Sequence, residues 1–212
     1  MIIHNSVRAI LLAAVCLLTG CLARPPLDQQ SFIFAPPPPT SAAKAAPRSR
    51  VLGIRSLQVA APFEGRAFVY RSGEYSYDSD PYAQFKILPA EALVTPICDW
   101  VREDGVFSAV AEAGSALKPD TLVEIHVDQL YGDFRPSEQA KAVLAMRFVF
   151  FDAPHGNPGK VILQQDYTRA IPLKARTAAA LIEGWNQALA QILDAALLDF
   201  GRFDTNAPKQ GS

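Results

Sequence analysis

Thr121–Phe134 reads TLVEIHVDQLYGDF, and its first half alternates without a fault: Val123, Ile125 and Val127 against Glu124, His126 and Asp128. Successive side chains of an extended chain point to opposite faces, so this pattern is a strand with one buried and one wet face. Two runs of the same kind follow, KAVLAMRFVFFDA from Lys141 and KVILQQDYTRAIPL from Lys160, separated by RPSEQ and PHGNPG. Antiparallel neighbours can be joined by such short connections, whereas parallel ones need a long crossover. Residues 121–173 therefore predict an antiparallel meander, whose apolar face requires a covering layer.

The cover is legible downstream. RTAAALIEGWNQALAQILDAALLDF, Arg176–Phe200, places Ala178, Leu181, Ile182, Trp185, Leu189, Ile192, Ala196 and Phe200 on one helical face. Glu183, Gln187 and Asp194 lie opposite, and Gly201 follows as an expected stop. A shorter helix is expected in AEALVTPICDWVRED, where Leu93, Ile97 and Trp100 share a face. Pro96 should lie in its first turn or kink it, and Gly105 should end it before a short strand, VFSAV. Upstream, VLGIRSLQV reads as a strand, and AFVYRSGEYSYDS as a hairpin turning near Ser72-Gly73. The expected fold is α+β: a mainly antiparallel sheet with two helices packed on one face, over residues 51–203, with a short tail at 204–212.

The amino terminus is of another kind. Residues 1–20, MIIHNSVRAILLAAVCLLTG, carry one basic residue, Arg8, before an apolar run and small residues, the pattern of an export signal. LTGC, from Leu18 through Thr19 and Gly20 to Cys21, resembles the lipobox of bacterial lipoproteins. That resemblance implies that Cys21 becomes the mature first residue, carrying diacylglycerol on sulfur and an N-acyl chain. Several chains anchor far more firmly than one, at about 0.8 kcal/mol per buried CH₂. Leu22 stands where an aspartate would signal inner-membrane retention, which favours the outer membrane, facing the periplasm. Residues 21–50 hold seven prolines, four of them in the run Pro36–Pro39, and read as a tether of roughly 30 Å as a coil. Within it, SFIF (Ser31–Phe34) has the apolar content to dock as an edge strand.

The chain offers little chemistry. A net charge of −1 argues against a nucleic-acid footprint. Glu124, His126 and Asp128 share a face, but their Cα atoms would spread over roughly 13 Å, too wide for one metal. They read as a solvated face, and His155 as a loop residue. GNPGK lacks the spacing and the following helix of a phosphate loop, and no G-x-S-x-G elbow occurs. Once Cys16 leaves with the signal and Cys21 is acylated, Cys98 stands alone and reads as a small buried hydrophobe. No metal, cofactor or catalytic residue is expected, and the protein reads as a non-enzyme.

Arg66–Val110 resembles the ABC-type transport auxiliary lipoproteins, the PqiC-like family. The resemblance is carried by Val69-Tyr70-Arg71, Tyr77, Asp80, Tyr82, Phe85, Pro89-Ala90 and Trp100, with Pro81 as a departure. It implies an accessory subunit of a lipid transporter with an MCE-domain partner, and leaves a phospholipid ligand and a homo-oligomer open. A carrier that holds acyl chains between sheet and helices is the alternative. Aromatic residues beside an arginine are typical interface anchors, so Tyr70, Arg71, Tyr75, Tyr77, Tyr82 and Phe85 are candidate docking residues. The competing reading has them pack the hairpin onto the first helix.

Overall fold

The computed structural model describes residues 28–39, 48–112, 114–136 and 139–206. The expected signal segment, Leu18, Thr19, Gly20 and Cys21 lie outside them. Eight strands form one sheet: β1 (Gln30–Phe32), β2 (Arg48–Val59), β3 (Ala67–Arg71), β4 (Tyr77–Phe85), β5 (Phe107–Ala111), β6 (Thr121–Asp133), β7 (Lys141–Asp152) and β8 (Val161–Pro172). Two helices, α1 (Pro89–Asp104) and α2 (Ala178–Asn206), cover one face. The fold is α+β, and its bulk is the antiparallel meander β6–β7–β8.

Strand β6 is the trunk of this sheet. One edge pairs with β7 over its whole length, from Thr121 opposite Asp152 to Asp133 opposite Lys141. The other edge is shared: β2 runs parallel to it from Thr121 to Val127, and β3 joins it parallel at Gly132 and Asp133. Beyond β2 lies β5, and beyond β3 lie β4 and then β1. The parallel pairings require long crossovers, and α1 supplies part of the one between β2 and β5.

A bulge at Asp128 keeps the core face in phase. Before it Val123, Ile125 and Val127 face Phe150, Phe148 and Met146; after it Leu130 and Gly132 face Leu144 and Ala142. The inserted residue shifts the inward parity of β6 from odd to even while β7 alternates unbroken, so opposed residues stay on one side. Leu130 is accordingly buried, although it falls out of step with the first half of the strand.

The face expected of α2 is the one that packs. Leu181, Trp185, Leu189, Ile192, Ala196 and Phe200 are completely buried. The Trp185 indole donates to the Val143 carbonyl at 3.1 Å, and Thr177 Oγ1 caps the helix by accepting from Ala180 N–H. Gly201 does not stop the helix, which runs on to Asn206. A glycine stop needs the left-handed conformation, and Gly201 stays right-handed, unlike Gly105, whose φ of 76° ends α1. Pro96 lies inside α1 rather than in its first turn, because Pro89 already occupies that turn.

The tether reading needs correction over residues 28–39. This stretch is a strap on the domain: β1 runs parallel to β4, with Gln30 opposite Ala83 and Phe32 opposite Phe85. Phe34 is buried and stacks on Phe85 at 5.1 Å. Ala35 N–H donates to Asn186 Oδ1, and Trp100 Nε1–H donates to the Pro37 carbonyl at 3.0 Å. The strap thus touches the sheet edge and both helices. Proline composition suggests a free stalk, but two phenylalanines two residues apart provide the apolar surface that docks it.

At Gly184 helix and sheet meet so closely that an added Cβ would lie 2.6 Å from Ala142 Cβ and 2.8 Å from Leu173 Cδ2. Helix propensity alone favours Gly184→Ala by about 1 kcal/mol, but overpacking costs about 1–3 kcal/mol. The variant is expected to melt several degrees lower than the parent by circular dichroism; an unchanged or raised midpoint would contradict this contact.

Candidate functional site

The six candidate docking residues do not form one surface. Phe85 is 1% exposed and belongs to the core, 4.7 Å from Phe68 and stacked on Trp185 at 5.6 Å between ring centroids. The hairpin therefore packs against Trp185 of α2, the second helix, where the competing reading names the first. Tyr70 is half-buried against Phe134, and its hydroxyl donates to Asp80 Oδ2 at 2.6 Å. Burial, and then this carboxylate, hold the Tyr70 hydroxyl well above its usual range, so it stays protonated. Arg71 is spent on its own turn, donating through Nε to the Gly73 carbonyl and through Nη2 to the Glu74 carbonyl.

Asp80 shapes this region. While Oδ2 accepts from Tyr70, Oδ1 accepts from the amides of Tyr82 and Ala83 at 2.7 and 3.0 Å. Register between β3 and β4 breaks here: Val69 opposes Ser79, and Ala67 opposes Gln84. The residues between are displaced from the ladder, which is where a proline can sit without removing a ladder donor. Pro81 uses its carbonyl instead, accepting from Gln29 Nε2 at the mouth of the strap.

Three tyrosines of the set remain open to water: Tyr75 at 87%, Tyr82 at 55% and Tyr77 at 47% exposure. Tyr77 rests on an aromatic group on the sheet face away from the helices, edge-on to Tyr131 at 5.4 Å and Phe63 at 6.2 Å. The Arg71 guanidinium lies over its ring at 6.0 Å. Phe63, on the short turn after β2, was not among the residues singled out from sequence; nothing in its spacing relates it to Tyr131.

On the strand face of β6 each carboxylate has a guanidinium. Glu124 accepts from Arg55, and Arg147 bridges Asp128 at 3.3 Å and Asp166 at 2.7 Å. Among the described residues no three His, Cys, Asp or Glu side chains are grouped to hold a metal. Cys98 is buried, and burial pushes its thiol up, away from the reactive thiolate.

Fully buried side chains pack the space between sheet and helices, and a cavity of about 10 Å³ bounded by Ile97, Val101, Ile125, Phe148 and Leu193 lies among them. That is about the room one water needs, and far less than an acyl chain. Larger hollows open outward beside α1. One of about 410 Å³ is lined by Ile54, Leu57, Val94 and Cys98 with Arg55 and Glu112, and another of about 570 Å³ by Val59, Leu88 and Ala90 with Glu64.

No protein family and no curated protein matches the chain by sequence. Solved structures do. The crystal structure of protein XCC0632 from Xanthomonas campestris, of family DUF330, superposes with a TM-score of 0.71 at 16% identity, covering 84% of this chain and 99% of that one. A second crystal structure, of an uncharacterized protein, covers 82% of this chain and 98% of its own length with a TM-score of 0.57 at 12% identity. At these identities the likeness is one of fold. Both span nearly their full length, so the sheet and both helices are the shared unit.

One electrostatic feature at the junction of the helices has a measurable consequence. Asp104, in the last turn of α1, is half-buried and faces Asp194 of α2; burial first, and then this like charge, raise its carboxyl above the usual range. A raised carboxyl pKa means that the native state gains stability as pH falls through it, and that ionised Asp104 weakens the fold at neutral pH. The carboxylate also opposes the helix dipole. Asp104→Asn should stabilise the protein by about half a kcal/mol at pH 7, a small figure because solvent screens the site. The gain should vanish near pH 3–4 in urea titrations; a gain that persists in acid would exclude this origin.

Proposed function

We propose that the protein is a lipid-anchored, periplasm-facing accessory subunit of an ABC-type lipid transport system, non-enzymatic and docking an MCE-domain partner. Cys21, with Leu18, Thr19 and Gly20 before it, is its acylated attachment point in the outer membrane. One observation carries the reading: Tyr70, Asp80, Phe85 and Trp100 of the PqiC-like pattern are each engaged within the fold. Asp80 holds Tyr70, Phe85 lies beneath Trp185, and Trp100 clasps the strap. The pattern is loose in sequence but fixed in space at these four residues, within the fold shared with the DUF330 protein. The non-enzymatic reading is supported by the polar face of β6, where the carboxylates are engaged by arginines. Against a carrier with acyl chains between sheet and helices stands the packed core there, where a cavity of about 10 Å³ lies among fully buried side chains.

Replacing Cys21 with alanine should leave the circular-dichroism spectrum and melting temperature unchanged and move the protein from the membrane to the soluble fraction. Retention in membranes would overturn the anchor. Crosslinking of the acylated protein in cells should capture an MCE-domain protein, and consistent failure to do so would overturn the partner assignment.

A further inference from the structure

We infer that the tip of the β3–β4 hairpin, with Tyr75, Tyr77 and Tyr82, is the end of the domain that rests on the membrane surface. The inference depends on the acylation of Cys21 proposed above and follows from the length and direction of the chain after it. Asp28, the first described residue, is the seventh after Cys21, and seven fully extended steps span about 25 Å. A domain of this size is roughly 40 Å across, so this leash does not let it turn freely above the bilayer.

The described chain enters the domain along β1. That strand is parallel to β4, with Gln30 level with Ala83, and Gln29 bonded to the Pro81 carbonyl. Going backwards from Gln30 therefore leads along β4 towards Tyr77 and the turn, where Ser72 N–H donates to the Ser76 carbonyl. The turn lies roughly 15–20 Å beyond Pro81 at strand rise. Even a taut leash outreaches the tip by less than about 10 Å, close to the depth of a headgroup layer. Any slack brings the tip onto the surface.

What the tip presents suits that position. Tyrosine has an apolar ring and a polar end, and is enriched where membrane meets water. Tyr82 stands beside the start of the strap and Tyr77 and Tyr75 follow towards the turn, while Glu74 and Asp78 beside them are exposed and keep the contact at headgroup depth. With carboxylates and no free basic cluster at the tip, the contact requires no anionic lipid.

The test places a nitroxide at Tyr75→Cys in the acylated protein, reconstituted in phosphatidylcholine vesicles, with a second label at Val161→Cys. Val161 is exposed at the far end of the meander, opposite the Lys141–Pro172 end near the hairpin. The Cys21 sulfur is blocked by acylation and Cys98 is buried. Relative to the soluble Cys21→Ala form, the oxygen-to-nickel-chelate accessibility ratio should rise about threefold at position 75 and stay constant at 161. Protein that floats with vesicles while position 75 stays fully open to the chelate overturns the inference and leaves the anchor intact. Protein that fails to float overturns both. Shielding of position 75 that appears only with an added MCE-domain protein assigns the tip to a protein partner instead.

Discussion

The close approach of α2 to β7 sets the geometry of everything else. A helix backbone can lie this near a strand only where a side chain is missing, and Gly184 over Ala142 provides that gap. Its neighbour Trp185 then fills the volume on the other side of the contact, fully buried and hydrogen-bonded to the Val143 carbonyl. Phe68 of β3 meets that indole edge-on and Phe85 of β4 stacks on it, which fixes the hairpin to the trunk of the sheet. Phe34 stacks on Phe85 in turn and brings in the strap. Remove the indole and the hairpin loses its floor, and with it the strap loses the ring on which it lies.

A sheet that forks at one strand needs local devices to stay in register, and the structure shows one on each of the two ladders that flank the first half of β6. Asp128 is inserted on β6 opposite β7, and Arg55 on β2 opposite β6, where pairing passes from Ile54–Val123 to Ser56–Glu124. Each bulge restores the inward face after a shift of one residue, which would otherwise turn every apolar side chain to solvent. The displaced side chains carry the ion pairs: Arg55 to Glu124, and Asp128 to Arg147. Register and surface charge on this face are thus one design, and the row Glu124, His126, Asp128 has a structural explanation without any ligand.

Legibility in the sequence followed the range of the forces. The meander and the long helix were readable because alternation and helical spacing are local, and Val123, Ile125, Val127, Trp185 and Leu189 face inward as their spacing demands. The strap was legible only in part: SFIF has the apolar content that docks it as the edge strand β1, but its proline content resembles a tether, and what binds it, Phe85, Trp100 and Asn186, lies 51 to 151 residues away along the chain. Gly201 misled for the opposite reason: a composition signal for a helix end is permissive, and the apolar face of α2 outweighs it. The docking set failed as a set because the register break between Ser79 and Gln84 turns β4 over, and simple alternation cannot show it. Tyr77 faces away from the helices towards Tyr131, while Phe85 lies against Trp185.

That split bears on what family resemblance can carry. Tyr70, Asp80, Phe85 and Trp100 are engaged inside the domain, so a pattern built on them transmits the fold: the bend of β4, the floor of the hairpin and the clasp on the strap. What the domain meets outside itself has to be read from side chains that leave it. Tyr82 does so beside the start of the strap, and Tyr75 does so at the turn of the hairpin. The clasp has a functional side as well. By fixing residues 28–39 it converts a leash of nearly thirty residues into one of seven, and reach is exchanged for orientation. A free stalk would let the domain search the periplasm. On the proposed acylation of Cys21, a short leash leaving one corner would hold that corner at the membrane and turn the opposite end of the meander outward.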